Sequence, residues 1–476
     1  MAVNSKQPSF KILISLIQIW DASGSENLIS EPDHPMMIAE VGSIQITDSY
    51  KKLFNTATVQ FPRGTIIKKT ITEHNANKSK ITATVEDTGV LVTTRTNSKK
   101  AEVSDFKVGQ RIRIRLGYTT DPKIAALARL DSENKSIFND TTKLTQYKNA
   151  MTIMFDGYIT KCSIDEPIEL KCEDLASHLK KITCPKITPS KDLTVNDLLA
   201  DDGKYKLLAK SGLKLHPDTK ACEINIGKTP IPDNLTVADI LTTWAKKVRL
   251  YSYVKADADG NPCLAVGRAY FSSTDKDSIL KGAESNIPKI LFDYHVAENN
   301  LTLMDTDKAF LAVEATSMEM RDGKEKFYHI TIRKNPEYDP DKDKENNKYQ
   351  ILNETTLSKK AQKAGATVLG KSKDRVDLST YTIIPYMSRK INIEHEDLQV
   401  EAIKYFESYN MNGIEGSLTV FGDLALKSAT KVHLYDKRFT VKNGYYLIDE
   451  VETKFGVDGY RQTIKLPYCI SRDKKE

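Results

Sequence analysis

Long apolar runs, paired cysteines and a strong charge imbalance are all scarce in this chain, and each scarcity excludes something. The longest apolar stretch is FKILISLIQIW, Phe10–Trp20, and Lys11, Ser15 and Gln18 interrupt it. It falls far short of the ~20 residues a membrane helix needs and reads as a strand. It has no basic leader and no small-residue cleavage site, so neither a signal peptide nor a transmembrane segment is expected. The six cysteines are Cys162, Cys172, Cys184, Cys222, Cys263 and Cys469, and no two stand in a CxxC spacing. That argues against zinc and thioredoxin-like chemistry and for reduced, mostly buried thiols in a cytoplasmic product. Seventy basic residues against 64 acidic ones leave a net charge of +6. So small an excess gives no expectation of nucleic-acid sequence recognition.

Catalytic signatures are scarce too. GKT at Gly227–Thr229 has Cys222 where a phosphate loop needs glycine, and Pro230 and Pro232 forbid the helix that should follow. DADGN at Asp257 runs into Pro262, and DPDKDKE at Asp339 has Lys344 where a calcium loop needs glycine, so both read as turns or solvated loops. His395 sits among Glu394, Glu396 and Asp397 without a second histidine at i+4, and acids belong electrostatically at a helix start. There is no GxSxG elbow and no cysteine–histidine signature. No catalytic, cofactor-binding or metal residue is therefore expected, nor a cofactor, and the chain does not read as an enzyme. A catalytic pair assembled only in space is not legible at this level.

What is present is a large, mainly β protein with α+β parts. A chain of 476 residues suggests three or four domains. Up to about Ile182 the alternation is of strands, clearest at Gln110–Leu116, where Arg111, Arg113 and Arg115 alternate with Ile112, Ile114 and Leu116. Such an arginine row could meet an acidic partner, but reads better as a solvated sheet face. The Thr- and Lys-rich stretch between Phe61 and Phe106 reads as an extended hairpin or arm, and 121–149 as a second insert with a short helical pattern in KIAALARL. A helix is expected to open near Glu173 with Leu175 and Leu179 on one face. DLTVNDLL and NLTVADIL form a weak repeat in which Thr194 and Thr236 cap helices and Asp197 and Asp239 fill the capping-box position. A hairpin follows, turning at Asp259-Gly260. Leu398, Ala402, Tyr405, Phe406 and Tyr409 share a face of a helix over Glu396–Tyr409, closed by Asn412-Gly413.

The order of the pieces then carries a resemblance. FKVGQRIRIRLGY (Phe106–Tyr118), FDGYI (Phe155–Ile159) and IELKCEDLASHLKKI (Ile168–Ile182) are followed by LTVADILTTWAKKV (Leu235–Val248) and VAENNLTLMDTDKAFLAVEATSMEMRDGK (Val296–Lys324). Last come GIEGSLTVFG (Gly413–Gly422), KVHLYD (Lys431–Asp436) and NGYYLIDEVETKFGVDGYRQTIKL (Asn443–Leu466). This resembles the baseplate hub family of phage tails, also used at the base of type VI secretion and contractile injection spikes.

The resemblance implies two tail-tube-like β-barrels plus smaller α+β domains. Residues 1–182 would be the first barrel, with long insertions at 62–105 and 119–149, and 183–290 a small α+β domain. Residues 291–332 plus 413–470 would form the second barrel around an inserted α/β segment, 333–412, leaving 471–476 as a tail. It implies a non-enzymatic homotrimer whose six barrels mimic six-fold symmetry, joining a hexameric tail tube to a trimeric spike and nucleating the tube. The chain ends at Glu476 without an oligosaccharide-binding-type barrel, a needle or a lysozyme-like segment, so the expected spike is a separate chain. The expected place is the virion or injection-machine baseplate, assembled in the bacterial cytoplasm with other tail proteins. Glycines 413, 416, 422, 444, 456 and 459 would turn barrel corners, and Arg461, Thr463 and Lys465 would face a lumen or a neighbour. The alternative is a β-rich, tail-associated enzyme degrading cell wall or polysaccharide, which needs two carboxylates at working separation. A secreted adhesin would prefer a signal peptide.

Overall fold

In a computed structural model the chain is mostly β, with several sheets and several units. The structure describes residues 11–20, 35–74, 83–85, 91–127, 141–222, 224–228, 230–248, 250–267, 287–303, 311–321, 324–335, 348–352, 366–368, 382–387, 395–408, 414–466 and 468–473. The Asn412-Gly413 helix stop, the 339–347 loop and Tyr409 lie outside them.

The N-terminal unit holds β1 (Ile12–Trp20), β2 (Met36–Ile38), β3 (Ser43–Ser49), β4 (Thr56–Phe61), β5 (Ile66–His74), β6 (Ala83–Val85), β7 (Leu91–Lys100), β8 (Arg111–Thr119), β9 (Thr152–Cys162) and β10 (Ile168–Asp174). Within the interrupted run that reads as a strand, Ile12–Trp20 is β1. Strands β1, β3, β4, β8, β9 and β10 curl about one core in which Ile17, Ile44, Val59, Ile114, Ile159 and Leu170 meet. The other face of β1 carries Ile14 and Leu16, covered by α1 (Pro122–Leu127) and α2 (Thr141–Asn149). The second helix falls where the sequence reads as merely polar. It is held by buried Tyr147, whose hydroxyl donates to the Ser15 carbonyl at 3.1 Å. Of the 62–105 insertion, expected as an extended hairpin or arm, the described residues include β5 paired with β7 from Ile66↔Lys100 to His74↔Val92.

The helix expected near Glu173 is instead a 3-10 stretch, Leu175–Lys181. Asp174 caps it by accepting from the Ala176 N–H at 3.1 Å, and the tighter winding buries Leu175, Ala176 and Leu179 in succession. It leads into the small α+β unit, with α3 (Val195–Leu199), α4 (Pro217–Cys222), α5 (Val237–Val248) and strands β11 (Leu193–Thr194), β12 (Lys214–Leu215), β13 (Asn225–Gly227), β14 (Tyr251–Ala256) and β15 (Pro262–Gly267). Both capping boxes form. The Asp197 N–H donates to Thr194 Oγ1 at 3.1 Å and the Thr194 N–H to Asp197 Oδ2 at 2.8 Å. For Asp239 and Thr236 the distances are 3.2 and 2.9 Å. Val237, Ile240, Leu241 and Trp244 make the buried stripe of α5. The β14–β15 turn is closed by Asp257 Oδ1, which accepts from the N–H groups of Asp259 and Asn261 at 3.0 and 2.8 Å. Gly260, at φ +84°, supplies the left-handed residue that turn requires.

Beyond it come β16 (Lys289–Leu291), α6 (Phe292–His295), β17 (Val296–Leu303), β18 (Leu311–Arg321), β19 (Lys324–Lys334), β20 (Tyr349–Ile351), β21 (Ala366–Val368), β22 (Thr382–Met387) and α7 (His395–Ser408). Strands β18 to β22 form their own sheet in the order β21-β20-β19-β18-β22, and α7 lays Leu398, Ala402 and Ile403 on Val313, Ala315 and Ile330. The expected division at 332/333 thus falls inside β19. The separate unit takes in β18 and β19, because their hydrogen bonds go to β20 and β22 and not to the C-terminal strands.

The chain finishes with β23 (Ile414–Phe421), β24 (Lys431–Tyr435), β25 (Gly444–Leu447), β26 (Glu450–Gly456), β27 (Gly459–Lys465) and β28 (Tyr468–Arg472). A four-stranded sheet, β16-β24-β25-β28, packs on β23, β26 and β27 through Ile290, Leu418, Val432, Leu434, Tyr446 and Ile464. The N-terminal and C-terminal strands each close round a core, but Phe455 and Tyr460 of β26 and β27 pack into the N-terminal one, and the two units share one sheet. Its order is β17-β23-β27-β26-β3-β4-β10-β9-β8-β1-β2-β5-β7-β6, and β26 and β3 join the halves along seven paired positions, Glu450↔Ser49 to Gly456↔Ser43.

Candidate functional site

Eight strands of the shared sheet fall into two quartets, β17-β23-β27-β26 and β3-β4-β10-β9. In each, the third and fourth strands are a hairpin through which the chain runs from fourth to third. In each, the chain also runs from the first strand to the second, through a short turn after β3 and through the five-stranded unit after β17. The same strand plan is used twice.

One face of both quartets is apolar and buried: Leu418 and Val420, Val451 and Phe455, Ile44 and Ile46, Ala57 and Val59, Leu170 and Cys172. Strand periodicity puts the intervening residues on the opposite face. The register aligns them in rows: Glu298, Thr419, Thr463, Glu452, Thr47 and Thr56 in one, and Phe421, Arg461, Lys454, Gln45, Thr58 and Lys171 in another. Arg461, Thr463 and Lys465, singled out in the sequence, lie on this face.

The face satisfies itself. Lys465 Nζ meets Glu450 Oε1 at 2.8 Å, and Lys52 approaches the same carboxylate at 3.4 Å. Gln45 Nε2 donates to Glu452 Oε1 at 2.7 Å across the β3–β26 seam, and the Thr419 and Thr463 hydroxyls are 3.1 Å apart. Burial tends to raise the Glu450 carboxyl, but the Lys465 hydrogen bond and the charges of Lys52 and Lys465 outweigh it and hold it below the usual range. The result is a polar face on which several charges are paired with opposite ones.

The seam is reinforced behind that face. Asp48 accepts from the Ser428 N–H at 2.9 Å, from the Ser428 hydroxyl at 2.8 Å and from Asn55 Nδ2 at 2.9 Å, and Lys427 Nζ donates to the Met154 carbonyl. Nearby, buried Asp174 accepts from the Asn55 N–H at 2.9 Å as well as capping its helix. Burial pushes its carboxyl up to about 8, offset in part by the two N–H groups and assisted by Asp48 and Glu173.

The arginine row is a correction. Arg111 and Arg113 are buried, not solvated. Asp156, opposite Arg113 in the β8–β9 register, accepts from Arg111 Nε and Nη2 at 2.9 Å each and from Arg113 Nε at 2.8 Å. Both guanidinium groups also lie against the Trp20 ring, at 5.4 and 5.5 Å. Arg115 Nε reaches Gln18 Oε1 at 3.3 Å. Sequence reasoning missed this site because Asp156 is 43 positions from Arg113.

Cys172, Cys184 and Cys263 are buried free thiols and Cys162 is half-buried. Among the described residues, no group of three His, Cys, Asp or Glu side chains is placed to hold a metal ion, and no helix is long and apolar enough to cross a membrane.

No protein-family model matches the chain, and none of the curated proteins does. Solved structures are similar to it. The 43 kDa tail protein of prophage MuSo2 from Shewanella oneidensis shares 11% identity, covering 96% of this chain and 97% of its own, at a TM-score of 0.40. The tail protein from Neisseria meningitidis shares 12%, covering 95% and 96%, at 0.43. An E. coli protein described as a component of the type VI secretion system, with structural similarity to T4 bacteriophage tail proteins, shares 8%, covering 94% and 78%, at 0.36. Each of these neighbours is a tail protein or a type VI secretion component, and each is similar to this chain along nearly its whole length.

Proposed function

We propose that the chain is a structural baseplate hub of a phage-type tail or injection machine, a trimer that joins a hexameric tube to a separate trimeric spike and nucleates the tube. The observation that carries this reading is the double use of one strand plan in a single chain, with the two quartets joined edge to edge by β26 and β3. Three chains then supply six similar modules, which is how one polypeptide can meet a six-fold partner on one side and a three-fold partner on the other. Among the described residues β17 has β23 as its one strand neighbour, so its far edge would be the place for the next copy. The self-satisfied polar faces suit the lining of a wet channel, and a task of shape requires no catalytic group. The place of work is the tail baseplate, after assembly in the bacterial cytoplasm.

Light scattering on the protein assembled with its tube and spike chains tests this: the hub should contribute three copies. A hub that stays a single copy in that assembly overturns the reading. Release of soluble fragments from purified cell-wall polymer would favour the alternative, a cell-wall or polysaccharide-degrading enzyme.

A further inference from the structure

The shared sheet has two unlike rims. At one, the ends of β10, β4, β3, β26 and β27 are Glu173, Thr56, Ser49, Glu450 and Lys465. This rim is covered by the chain itself. Tyr50 is fully buried there, edge-on to Tyr251 and Tyr253 of the α+β unit at 5.6 and 6.1 Å, and Leu53 and Phe54 pack on that unit's core.

At the opposite rim the strands end at Ile168, Phe61, Ser43, Gly456 and Gly459. Two hairpin tips project there, β9–β10 and β26–β27, and each occupies the third and fourth places of its quartet. Their chemistry is the same. The first tip carries Ile164, 86% exposed, followed by Asp165 and Glu166. The second carries Val457, 95% exposed, followed by Asp458. These are the two most exposed of the large hydrophobic side chains among the described residues. Among the described residues, the side chains of Asp165, Glu166 and Asp458 have no hydrogen-bond or ion-pair partner. The tips are four strand spacings apart, roughly 19 Å along the sheet.

We infer that this rim is the tube-docking face, and that the tips Ile164–Asp165 and Val457–Asp458 are its repeated contact. The inference rests on the hub reading. In a ring of three copies, the two tips give six β-branched side chains, each followed by a carboxylate, at one position in every quartet. The partner that fits is a six-fold ring whose face offers an apolar socket bordered by lysine or arginine once per subunit. The other rim, covered by the α+β unit, is left for the spike side.

The test compares wild type with the double variant Ile164→Ser, Val457→Ser and with the charge variant Asp165→Asn, Asp458→Asn. The probe is the purified tube subunit encoded in the same genome, with nucleated tubes counted by electron microscopy and hub mass read by light scattering. All changed side chains are solvent-facing, so unchanged circular dichroism and trimer mass are expected. The inference expects the apolar variant to nucleate on the order of tenfold fewer tubes or worse, and the charge variant to fall behind wild type by a margin that widens as salt is lowered, because it lacks the attraction that low salt strengthens. Wild-type nucleation by an apolar variant that still forms trimers overturns this inference and leaves the hub reading standing. A wild type that neither trimerises nor nucleates overturns both. A six-chain mass in wild type that returns to three in the apolar variant assigns the rim to a second copy, and also overturns it.

Discussion

Tyr118 stacks on Tyr460 with ring centroids 5.5 Å apart, and its hydroxyl donates to the Tyr460 carbonyl at 2.9 Å across 342 positions of sequence. The pair ties the last residues of β8 to the first of β27. Around it Lys11 meets Asp423 at 2.7 Å, and the Tyr460 ring fills the space over Gly422. Together with the Asp48–Ser428 bonds, these contacts tie the N-terminal strands to the C-terminal ones beyond the β3–β26 seam.

Tyr118→Phe should therefore cost about 1 kcal/mol, the usual net worth of one hydrogen bond. Tyr118→Ala should cost roughly 3 kcal/mol through loss of the stacked ring. Urea midpoints at constant m-value check this. A Tyr118→Phe midpoint equal to wild type would show that water replaces the bond without loss.

Gly422→Ala should be worse than its size suggests. A Cβ there would lie 2.2 Å from the Tyr460 ring, well inside contact distance. Overpacking of this kind costs roughly 1–3 kcal/mol. Combining it with Tyr460→Leu, which removes the ring, should recover part of that loss in thermal unfolding; an additive double variant would place the clash elsewhere.

Removing the cap at Thr236 by Thr236→Ala should cost about 1 kcal/mol, since the Asp239 N–H loses its acceptor at the start of a twelve-residue helix. Thr236→Ser should retain most of that. Hydrogen exchange at the Asp239 amide is the direct readout, because the loss should appear there first.

The pH dependence of stability should carry the mark of Asp174. Its carboxyl stands near 8 in the fold and near an ordinary 3.9 when unfolded. Between those values the folded state holds the extra proton, so this group's contribution is undiminished below about pH 4 and is lost as pH rises through 8. The gap between those two values caps the loss at roughly 5–6 kcal/mol. Asp174→Asn cannot titrate. The difference in urea midpoint between wild type and variant should therefore drift with pH over that window, and a constant difference would refute the assignment.

Much of this protein is local and so was legible. Alternation marked β3, β4, β10, β26 and β27 because one face of each is buried and the other wet. Threonine–aspartate spacing marked two helix starts, because a cap is satisfied within three residues. The polar residues Arg461, Thr463 and Lys465 could be assigned to one face by period alone. The α2 helix was not legible, because its stability comes from Tyr147 reaching β1 and not from a strong stripe of its own.

What the sequence by itself determined is which residues want to be buried, and therefore the strands and the wet face they leave over. Only the tertiary structure decided which strand lies beside which. It brought Asp156 under Arg111 and Arg113, so that an apparent solvent face is a buried ion cluster. It carried β18 and β19 out of the C-terminal unit and laid β26 against β3, some 400 residues apart. The reason is physical: backbone hydrogen bonds between strands are chemically alike. A strand's pattern therefore says that it must pair but not with what, and the partner is chosen by the core that closes around both.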